Sequence, residues 1–276
     1  MTSVAIIGAG GRMGHALVRS IGRTPGLKLV AAIEQAGHPA IGKDAGTAAG
    51  VNPVGVAISS DLHGVALADV IVDFTLPSAT PGNVEAAVRA GKPLVIGTTG
   101  LGDKEKAILN EAAGKIAIVS APNMSLGVNL LFAMAKKAAT VLGLGYLVDI
   151  DETHHIHKKD APSGTALRLG EKVAEGRGQD FKSVMVHQPE TPGTEAGKVD
   201  RAARQGEKIV IHSSRIGEVV GDHLVSFACE GETIELAHHA WSRESFAMGA
   251  LRAAQWVIGR QPGLYDMQDV LDLKGF

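Results

Sequence analysis

The chain has 276 residues, 45% of them hydrophobic and 20% charged, which is typical of a folded protein rather than a disordered one. Lysine and arginine number 27 against 29 acidic residues, and this near balance argues against nucleic acid as the main partner. The single cysteine, Cys229, excludes an intrachain disulfide and suits a reducing compartment.

Neither a membrane segment nor a signal peptide is predicted. The longest apolar runs stop near ten residues, as the run from Leu126 does at Lys136, whereas a helix needs about 20 residues to cross a bilayer. Met1 to Ser3 leads directly into an apolar segment without a basic stretch before it. We therefore expect a cytoplasmic protein with no membrane partner.

Residues 1–120 predict alternating strands and helices. Val4–Ile7 is fully apolar, as is typical of a parallel strand buried on both faces, and a glycine-rich turn and a helix at 13–21 follow it. The further strands are predicted at 28–33, 70–74, 93–96 and 116–119, and the further helices at 83–90 and 103–113. This alternation predicts a Rossmann-type α/β domain with a parallel sheet and right-handed crossovers.

The pattern changes after residue 124. A helix at 126–141 precedes strands that lie close together, predicted at 146–156, 183–187, 208–214, 219–228 and 233–237. They favour a second, α+β domain with a mixed or antiparallel sheet. A polar loop is predicted at 188–206, and a helix at 245–258 is expected to return to the first domain. We thus predict a dinucleotide-binding domain at 1–125, with 240–276 packing on it, and a second domain at 126–239.

A glycine-rich turn joins the first strand to the first helix. Counted from Gly8 and Gly10, the last glycine of the G-x-G-x-x-G pattern would fall at position 13, where this chain has Met13. The glycines are spaced instead as Gly8, Gly11 and Gly14. They still permit a tight turn in which backbone N–H groups approach a pyrophosphate at a helix N-terminus. Glu34 follows at a strand end 20 residues after Gly14, where an acidic side chain accepts the ribose hydroxyls. Together these features predict a dinucleotide site.

Three further loops follow predicted strands. They are Asp73–Thr75, Gly97–Gly100 and Ala121–Met124. In open α/β sheets ligands bind at the carboxyl ends of the strands, so these loops are expected to line the same cleft. The small residues and hydroxyls of 97–99 would accept a nicotinamide and its ribose.

The densest cluster of chemically reactive side chains lies at 152–165. Three histidines and two lysines fall within six residues, at 154–159, and favour an anionic substrate. Ser163 is the predicted N-cap of a helix that begins with Gly164 and Thr165, whose N–H groups would suit a carboxylate. The cations and the helix start could hold two carboxylates at once.

The geometry of this cluster stays open at the level of sequence. In an extended strand His154 and Lys158 would lie about 13 Å apart, so either the chain turns after Ile156 or the two do not share a site. His154, His155 and His157 could also bind zinc, but no cysteine is near and the lysines would repel a cation. A solvated polar strand end is the remaining interpretation.

The sequence resembles the 4-hydroxy-tetrahydrodipicolinate reductase family over nearly its whole length, from Val4 to Leu273. The most specific part is H-H-x-H-K-x-D-A-P-S-G-T-A at 154–166, together with G-T-T-G at 97–100. The resemblance implies that hydride from NADH or NADPH reduces a cyclic imine dicarboxylate to tetrahydrodipicolinate, in lysine and diaminopimelate biosynthesis. It also implies that 126–239 binds the substrate and forms a homotetramer through its sheet.

The resemblance implies a role for each matching position. His154 matches the general acid, Lys158 a second proton-transfer and substrate-contacting residue, and His155, Gly164 and Thr165 the carboxylate-binding positions. The cofactor contacts match Gly8, Ala9, Gly10, Gly11, Arg12, Met13, Glu34, Gly97, Thr98, Thr99, Ala121, Pro122, Asn123 and Met124. No metal position is predicted.

Two departures from the family bear on the cofactor. Some members carry an arginine directly after the ribose-binding acid, where it can grip the 2′-phosphate of NADPH, and this chain has Gln35 there. Some also carry an arginine where this chain has Leu76. Arg12 and Lys43 leave NADPH possible, but the carboxylate of Glu34 would repel a 2′-phosphate, so NADH is expected to serve at least as well.

Two other functions compete with this interpretation. An aspartate or homoserine dehydrogenase shares the two-domain plan but does not predict the histidine–lysine and Ser-Gly-Thr spacing. A catalytically silent dinucleotide sensor would not need His154 beside Lys158.

Overall fold

The computed structural model describes residues 1–189 and 207–275. The chain divides into two compact units, of which the first comprises Met1–Leu126 and Arg243–Asp272. The second comprises Gly127–Ser242 and the last residues from Leu273 onward. Of the loop predicted at 188–206, residues 190–206 lie outside the described residues, while Gln188 and Pro189 end a strand.

The described residues form two sheets. Their strands are Thr2–Ile7 (β1), Leu27–Ile33 (β2), Ile58–Ser59 (β3), Val70–Asp73 (β4), Leu94–Ile96 (β5), Ala117–Ser120 (β6), Leu147–His154 (β7), Met185–Pro189 (β8), Ile209–Arg215 (β9), Gly221–Ala228 (β10), Thr233–Ala240 (β11) and Gly263–Tyr265 (β12).

Helices cover these sheets. They are Arg12–Ile21 (α1), Ala45–Ala48 (α2), Thr80–Ala90 (α3), Asp103–Ala112 (α4), Leu126–Leu142 (α5), Gly164–Arg177 (α6), Phe181–Val184 (α7), Glu244–Trp256 (α8) and Met267–Val270 (α9). Short 3₁₀ turns lie at Leu62–Leu67, Pro77–Ala79 and Gly143–Gly145.

The first unit contains a seven-stranded sheet in the order β12-β6-β5-β4-β1-β2-β3, with every pairing parallel. Val4 and Ile6 of β1 face one core cluster, while Ala5 and Ile7 face the other. The strand is therefore buried on both faces, which explains its uninterrupted apolar sequence. The prediction of a Rossmann-type parallel sheet is confirmed, and the strand order reverses between β1 and β4, where such folds bind ligands.

The structure differs from the predicted elements in three places. The short strands β3 and β12 were not predicted, because two or three residues carry no recognisable period. Phe74, expected to end a strand, lies just beyond β4. The strand expected from Ser183 begins instead at Met185, because Ser183 lies in the helical turn α7.

The second unit contains a five-stranded sheet in the order β11-β10-β7-β9-β8. Strand β10 pairs antiparallel with β11 and β7, whereas β9 pairs parallel with β7 and β8, so the predicted mixed sheet is confirmed. Side chains of α5 and α6 such as Phe132 and Leu169 form one core with Ile150, Ile211 and Phe227 of the sheet. This core holds the carboxyl end of β7 in place.

Helix α8 belongs to the first unit, where Ala250 and Leu251 share a core cluster with Leu17 of α1. Its Gly249 lies directly on the backbone of Met124, since a Cβ added there would be 1.6 Å from the Met124 carbonyl oxygen. The helix therefore fixes the loop that follows β6.

The stretch Leu126–Gly145 is helical over 20 residues with a mean hydropathy of 1.3, and it continues through Lys136 and Lys137. By length and composition alone it could cross a membrane, and among the described residues it is the single stretch that could. Val128, Leu131 and Phe132 on its buried face pack into the core of the second sheet. A core helix of this kind passes the same test, so the signal for a membrane span is weak.

We expect Gly249→Ala to destabilise the protein by about 1–3 kcal/mol, because the added methyl group would collide with backbone that cannot move aside cheaply. Gly82→Ala in α3 is the matched control, since a Cβ there meets nothing within 4 Å and the stability should be unchanged or slightly higher. Urea unfolding of both variants measures the difference. Equal midpoints for Gly249→Ala and the unmodified protein would contradict the close packing.

Candidate active site

A cavity of about 880 Å³ lies at the carboxyl ends of the parallel strands in the first unit. Its size is typical of a site for a small molecule or cofactor. It is lined by eleven of the fourteen predicted cofactor residues, namely Gly8, Gly11, Arg12, Met13, Glu34, Gly97, Thr98, Thr99, Pro122, Asn123 and Met124. The other three, Ala9, Gly10 and Ala121, are not among its lining residues.

The glycine-rich turn brings backbone close to backbone at the start of α1. Gly8 has a φ of +86°, which favours glycine, and a Cβ on Gly14 would lie 2.2 Å from the Gly8 carbonyl oxygen. The N-cap of α1 is Gly11, and no side chain caps the helix there. The first turn of α1 therefore has N–H groups suited to an anion such as a pyrophosphate.

The carboxylate of Glu34 is held at the end of β2 by two backbone donors. Gly10 N donates to Oε2 at 2.9 Å and Gln35 N donates to Oε1 at 2.8 Å. His38 also lines the cavity and lies close to this pair, since a Cβ on Gly10 would be 2.6 Å from the His38 Cε1. The position of His38 was not predicted, because no local pattern links it to the glycine turn.

The loop after β4 is braced by a buried carboxylate. Asp73 Oδ1 accepts from Thr75 N at 2.9 Å and Asp73 Oδ2 accepts from Asn83 Nδ2 at 2.9 Å. Burial raises the pKa of Asp73, although the hydrogen bonds from Thr75 and Asn83 act to lower it. This bracing orders Phe74 and Thr75, which line the cavity.

The cavity fits a nicotinamide dinucleotide. The uncapped helix start suits a pyrophosphate, the carboxylate of Glu34 suits the ribose hydroxyls, and Thr98 Oγ1 is buried without a hydrogen-bond partner among the described residues. Arg243 and Phe246, at the start of α8, also line the cavity and were missed in the sequence, because they lie more than 100 residues after the other lining residues.

In the second unit the chain turns directly after β7, which ends at His154. Lys158 N donates to the His155 carbonyl oxygen at 3.1 Å, and Ile156 N donates to the Gly217 carbonyl oxygen at 3.1 Å. Of the alternatives left open by the sequence, the extended strand is therefore wrong. The turn spans His155 to Lys158 with Ile156 and His157 at its centre, so the alternative of a turn at Ile156 is confirmed.

His154 is buried and hydrogen-bonded through Nδ1 to Glu152 Oε2. The other carboxylate oxygen of Glu152 accepts from Ser163 N at 3.1 Å and from Arg215 Nη1 at 3.0 Å. Burial acts to raise the pKa of Glu152, but hydrogen bonding and charge from His154, with hydrogen bonds from Ser213 and Arg215, outweigh it and lower the pKa to about 2. Glu152 is therefore an ionised, buried partner of His154, and a solvated strand end is excluded.

The side chain of Lys158 is paired with Asp160, two residues further along the chain. Its Nζ donates to both carboxylate oxygens of Asp160, at 2.8 and 2.7 Å. Burial acts to raise the pKa of Asp160, but its hydrogen bonds and charge interaction with Lys158 outweigh burial and lower it. Arg215 also donates to the backbone carbonyl oxygens of Lys158 and Asp160, which ties this loop to β9.

The predicted helix start at Ser163 is confirmed. Ser163 Oγ accepts from Ala166 N at 3.2 Å, and Gly164 and Thr165 begin α6. Their position at the positive end of the helix dipole favours a carboxylate. His155, another predicted carboxylate contact, lies in the turn after β7. Its Nδ1 is buried and has no hydrogen-bond partner in the described part of the chain.

His223 of β10 joins this cluster although the sequence did not indicate it. It lies opposite Glu152 in the sheet, its ring meets that of His154 edge-on at 5.2 Å, and its Nε2 is 3.2 Å from Ser163 Oγ. Burial lowers the pKa of His223 to about 3, and the charge of His154 acts in the same direction. His223 is 71 positions away from Glu152 in the sequence and reaches it only through the pairing of β10 with β7. No local pattern in the sequence could therefore indicate it.

The group of possible metal ligands in the structure shares only His154 with the zinc alternative. Ligand atoms of Glu152, His154 and His223 lie within 4.8 Å of one another, and this is the single such group found among the described residues. His155 and His157 do not belong to it. The Glu152 carboxylate already binds His154 and Arg215, so the group is better suited to proton exchange than to a cation.

Comparison with known proteins gives matches over the full chain. The family model described as "Dihydrodipicolinate reductase, N-terminus" matches residues 2–124, and that described as "Dihydrodipicolinate reductase, C-terminus" matches 127–271. A 4-hydroxy-tetrahydrodipicolinate reductase of Anaeromyxobacter dehalogenans is 50% identical over 276 residues, 100% of this chain and 99% of the relative. That of Alkalilimnicola ehrlichii is 49% identical, over 99% of both chains.

A solved structure shares the fold as well. The dipicolinate-bound dihydrodipicolinate reductase of a Paenisporosarcina species is similar with a TM-score of 0.73 and 27% identity, over 98% of each chain.

The pKa of His223 predicts how stability changes with acidity. The native ring stays neutral down to about pH 3, whereas the unfolded ring takes up a proton near pH 6.5, so this residue makes the protein less stable as the pH falls between these values. We expect His223→Asn to lose less stability than the unmodified protein between pH 6 and pH 4, by up to about 1.4 kcal/mol per pH unit.

Urea unfolding at pH 7, 6, 5 and 4 checks this expectation, with the exposed His63→Asn as control. Burial also lowers the pKa values of His15 and His238, so the slope should be reduced rather than abolished. Identical slopes for His223→Asn and His63→Asn would contradict a neutral, buried His223.

Proposed function

The chain belongs to the dihydrodipicolinate reductase family, and from that premise we propose how its residues reduce 4-hydroxy-tetrahydrodipicolinate. It is an oxidoreductase of lysine and diaminopimelate biosynthesis that acts on a small-molecule substrate with a nicotinamide cofactor. The product lacks the 4-hydroxyl group of the substrate, so the overall reaction takes up a hydride and a proton and releases water.

The first unit binds the cofactor, which supplies the hydride when bound. The turn from Gly8 to Met13 holds the pyrophosphate at the start of α1, and Glu34 accepts the ribose hydroxyls. The loops at 97–99 and 121–124 hold the nicotinamide end. Support for this assignment comes from the cavity that these residues line at the carboxyl ends of the strands.

His154 supplies the proton, and one observation carries this proposal: its Nδ1 is bound to a buried, ionised Glu152. Nε2 is then the nitrogen left to deliver the proton to the substrate. Lys158 contacts the substrate and assists the proton transfer. It lies at the end of the turn that directly follows His154.

The substrate carboxylates bind to Lys158, His155 and the start of α6 at Gly164 and Thr165. A cationic side chain and the positive end of a helix both stabilise carboxylates. The solved relative is described as dipicolinate bound, which names a dicarboxylate as its ligand.

We propose that NADH serves at least as well as NADPH. The carboxylate of Glu34 accepts two backbone hydrogen bonds, so it cannot swing away from a 2′-phosphate without losing them. Gln35 offers no positive charge to offset the resulting repulsion. Arg12 and His38 line the same cavity and leave NADPH usable.

We further propose a cytoplasmic homotetramer that assembles through the sheet of the second unit, without membrane or nucleic-acid partners. Among the described residues, β11 pairs on one side only, with β10, and most of its side chains are exposed or half-buried. Such an edge is suited to a contact with another copy of the chain.

The activity is tested by following the loss of dihydronicotinamide absorbance, with substrate made in the cuvette by a synthase from pyruvate and aspartate semialdehyde. Oxidation that depends on the synthase product supports the proposal. Protein that binds NADH but oxidises neither cofactor would favour the sensor or another dehydrogenase.

We expect His154→Gln to lower kcat by about 100-fold or more while the Kd for NADH stays unchanged, because the proton donor is lost and the cofactor site is not. Lys158→Ala should lower kcat and also raise the KM for the substrate. His157→Gln is the control, since His157 is an exposed neighbour in the same turn. Steady-state kinetics and NADH fluorescence titration measure these effects, and an unchanged kcat in His154→Gln would remove it as the acid.

We expect Gln35→Arg to raise kcat/KM for NADPH relative to NADH by about tenfold, because the guanidinium can pair with the 2′-phosphate beside Glu34. Gln35→Ala is the control, since it removes the amide without adding charge. The ratio of kcat/KM values is measured at fixed substrate concentration. If both variants change this ratio equally, the charge at position 35 does not decide the cofactor.

A further inference from the structure

Glu152 is a buried carboxylate of β7 that lies two residues before His154. It is 1% exposed, and its two oxygens bind donors from three different segments of the second unit. Oε2 binds His154 Nδ1, while Oε1 binds Ser163 N and Arg215 Nη1. A buried carboxylate with this many partners is costly to replace and holds each partner in a defined place.

The bond to Glu152 decides which nitrogen of His154 is available. An ionised carboxylate only accepts, so Nδ1 carries a proton and Nε2 is left for the substrate. Nε2 faces Gly221 of β10, where an added Cβ would lie 3.0 Å from it. A side chain at position 221 would crowd this nitrogen, and glycine leaves the space open.

Arg215 connects this carboxylate to the loop that carries Lys158. Besides Glu152, its guanidinium binds the carbonyl oxygens of Ser214 at 2.7 Å, Lys158 at 3.3 Å and Asp160. A single side chain therefore fixes both the partner of His154 and the backbone of Lys158. The planar fork of arginine suits such divergent acceptors better than a lysine would.

We infer that Glu152 is a positioning residue for His154, which keeps the proton of the neutral ring on Nδ1 and leaves Nε2 as the nitrogen that exchanges a proton with the substrate. Arg215 and Ser163 N hold Glu152 in place for this task. The inference rests on the proposed role of His154 as the acid. Among the described residues, Arg215 binds the carboxylate of the pair, the His223 ring meets that of His154, and Lys158 lies in the loop that Arg215 holds.

The variant Glu152→Gln tests whether Glu152 sets the tautomer of His154 or only packs against it. The amide oxygen can still accept from Ser163 N and Arg215, but the amide nitrogen now faces His154 Nδ1 and donates to it. The neutral ring must then carry its proton on Nε2, so the tautomer reverses while the shape of the side chain is retained. Asp149→Asn is the matched control, because Asp149 is also a buried carboxylate of β7 and pairs with His212 at 3.0 Å.

We expect Glu152→Gln to lower kcat by about 100-fold with little change in KM or in NADH affinity. Asp149→Asn should leave kcat unchanged, because the carboxylate of Asp149 faces His212 and not His154. An equal fall in kcat in both variants would indicate a merely structural role and overturn the inference.

The nitrogen-15 NMR signals of His154, identified by their loss in His154→Gln, measure the tautomer without any activity. The unmodified protein should show the Nδ1–H form when the ring is neutral, and Glu152→Gln the Nε2–H form. An Nε2–H form in the unmodified protein overturns the inference, even if Glu152→Gln does not fold.

The double variant that combines Glu152→Gln with His154→Gln separates this inference from the proposed function. If Glu152 acts through His154, Glu152→Gln should cost little further kcat in the His154→Gln background. A full additional loss there overturns the positioning role. Normal turnover of His154→Gln alone would instead overturn the role of His154 as the acid, whatever the tautomer.

Discussion

The ion pair between Glu152 and Arg215 is the contact on which the candidate site of the second unit depends. Two charges are taken out of water at the carboxyl ends of β7 and β9, which is unfavourable unless hydrogen bonds satisfy both groups. Here both are satisfied, since the carboxylate binds His154 and Ser163 N and the guanidinium binds three backbone carbonyl oxygens. Two apolar side chains would fill the same space at lower electrostatic cost but could not hold the histidine, the lysine loop and the helix start together.

The cavity of the first unit depends on a different constraint, the close approach of backbone to backbone. The sheet reverses its strand order between β1 and β4, which leaves a crevice at their carboxyl ends. A side chain on Gly14 would push α1 away from this crevice, because its Cβ would overlap the Gly8 carbonyl oxygen. The glycine-rich turn of the first unit is therefore shaped by the absence of side chains, whereas the candidate site of the second unit is built on buried side-chain charge.

The sequence predicted those features whose cause is local. The apolar run of β1, the cap at Ser163 and the position of Glu34 directly after β2 each follow from a few neighbouring residues. The turn after β7 did not, because Ile216 N donates to the His154 carbonyl oxygen and this partner comes from the distant connection between β9 and β10. Arg215 and His223 were missed for the same reason, since strand pairing alone brings them beside the motif.

The segment at 152–163, which contains most of the motif at 154–166, is closed by a contact between its two ends. Glu152 and Ser163 are 11 residues apart and joined by a hydrogen bond, so the segment between them is a closed loop. Closing a loop of this length costs little entropy, and each contact within it holds the others in place. Lys158 and His154 can therefore be set by the same few bonds. A histidine and a lysine from distant segments would need separate supports, whereas here Arg215 binds both the carboxylate that holds His154 and the backbone of Lys158.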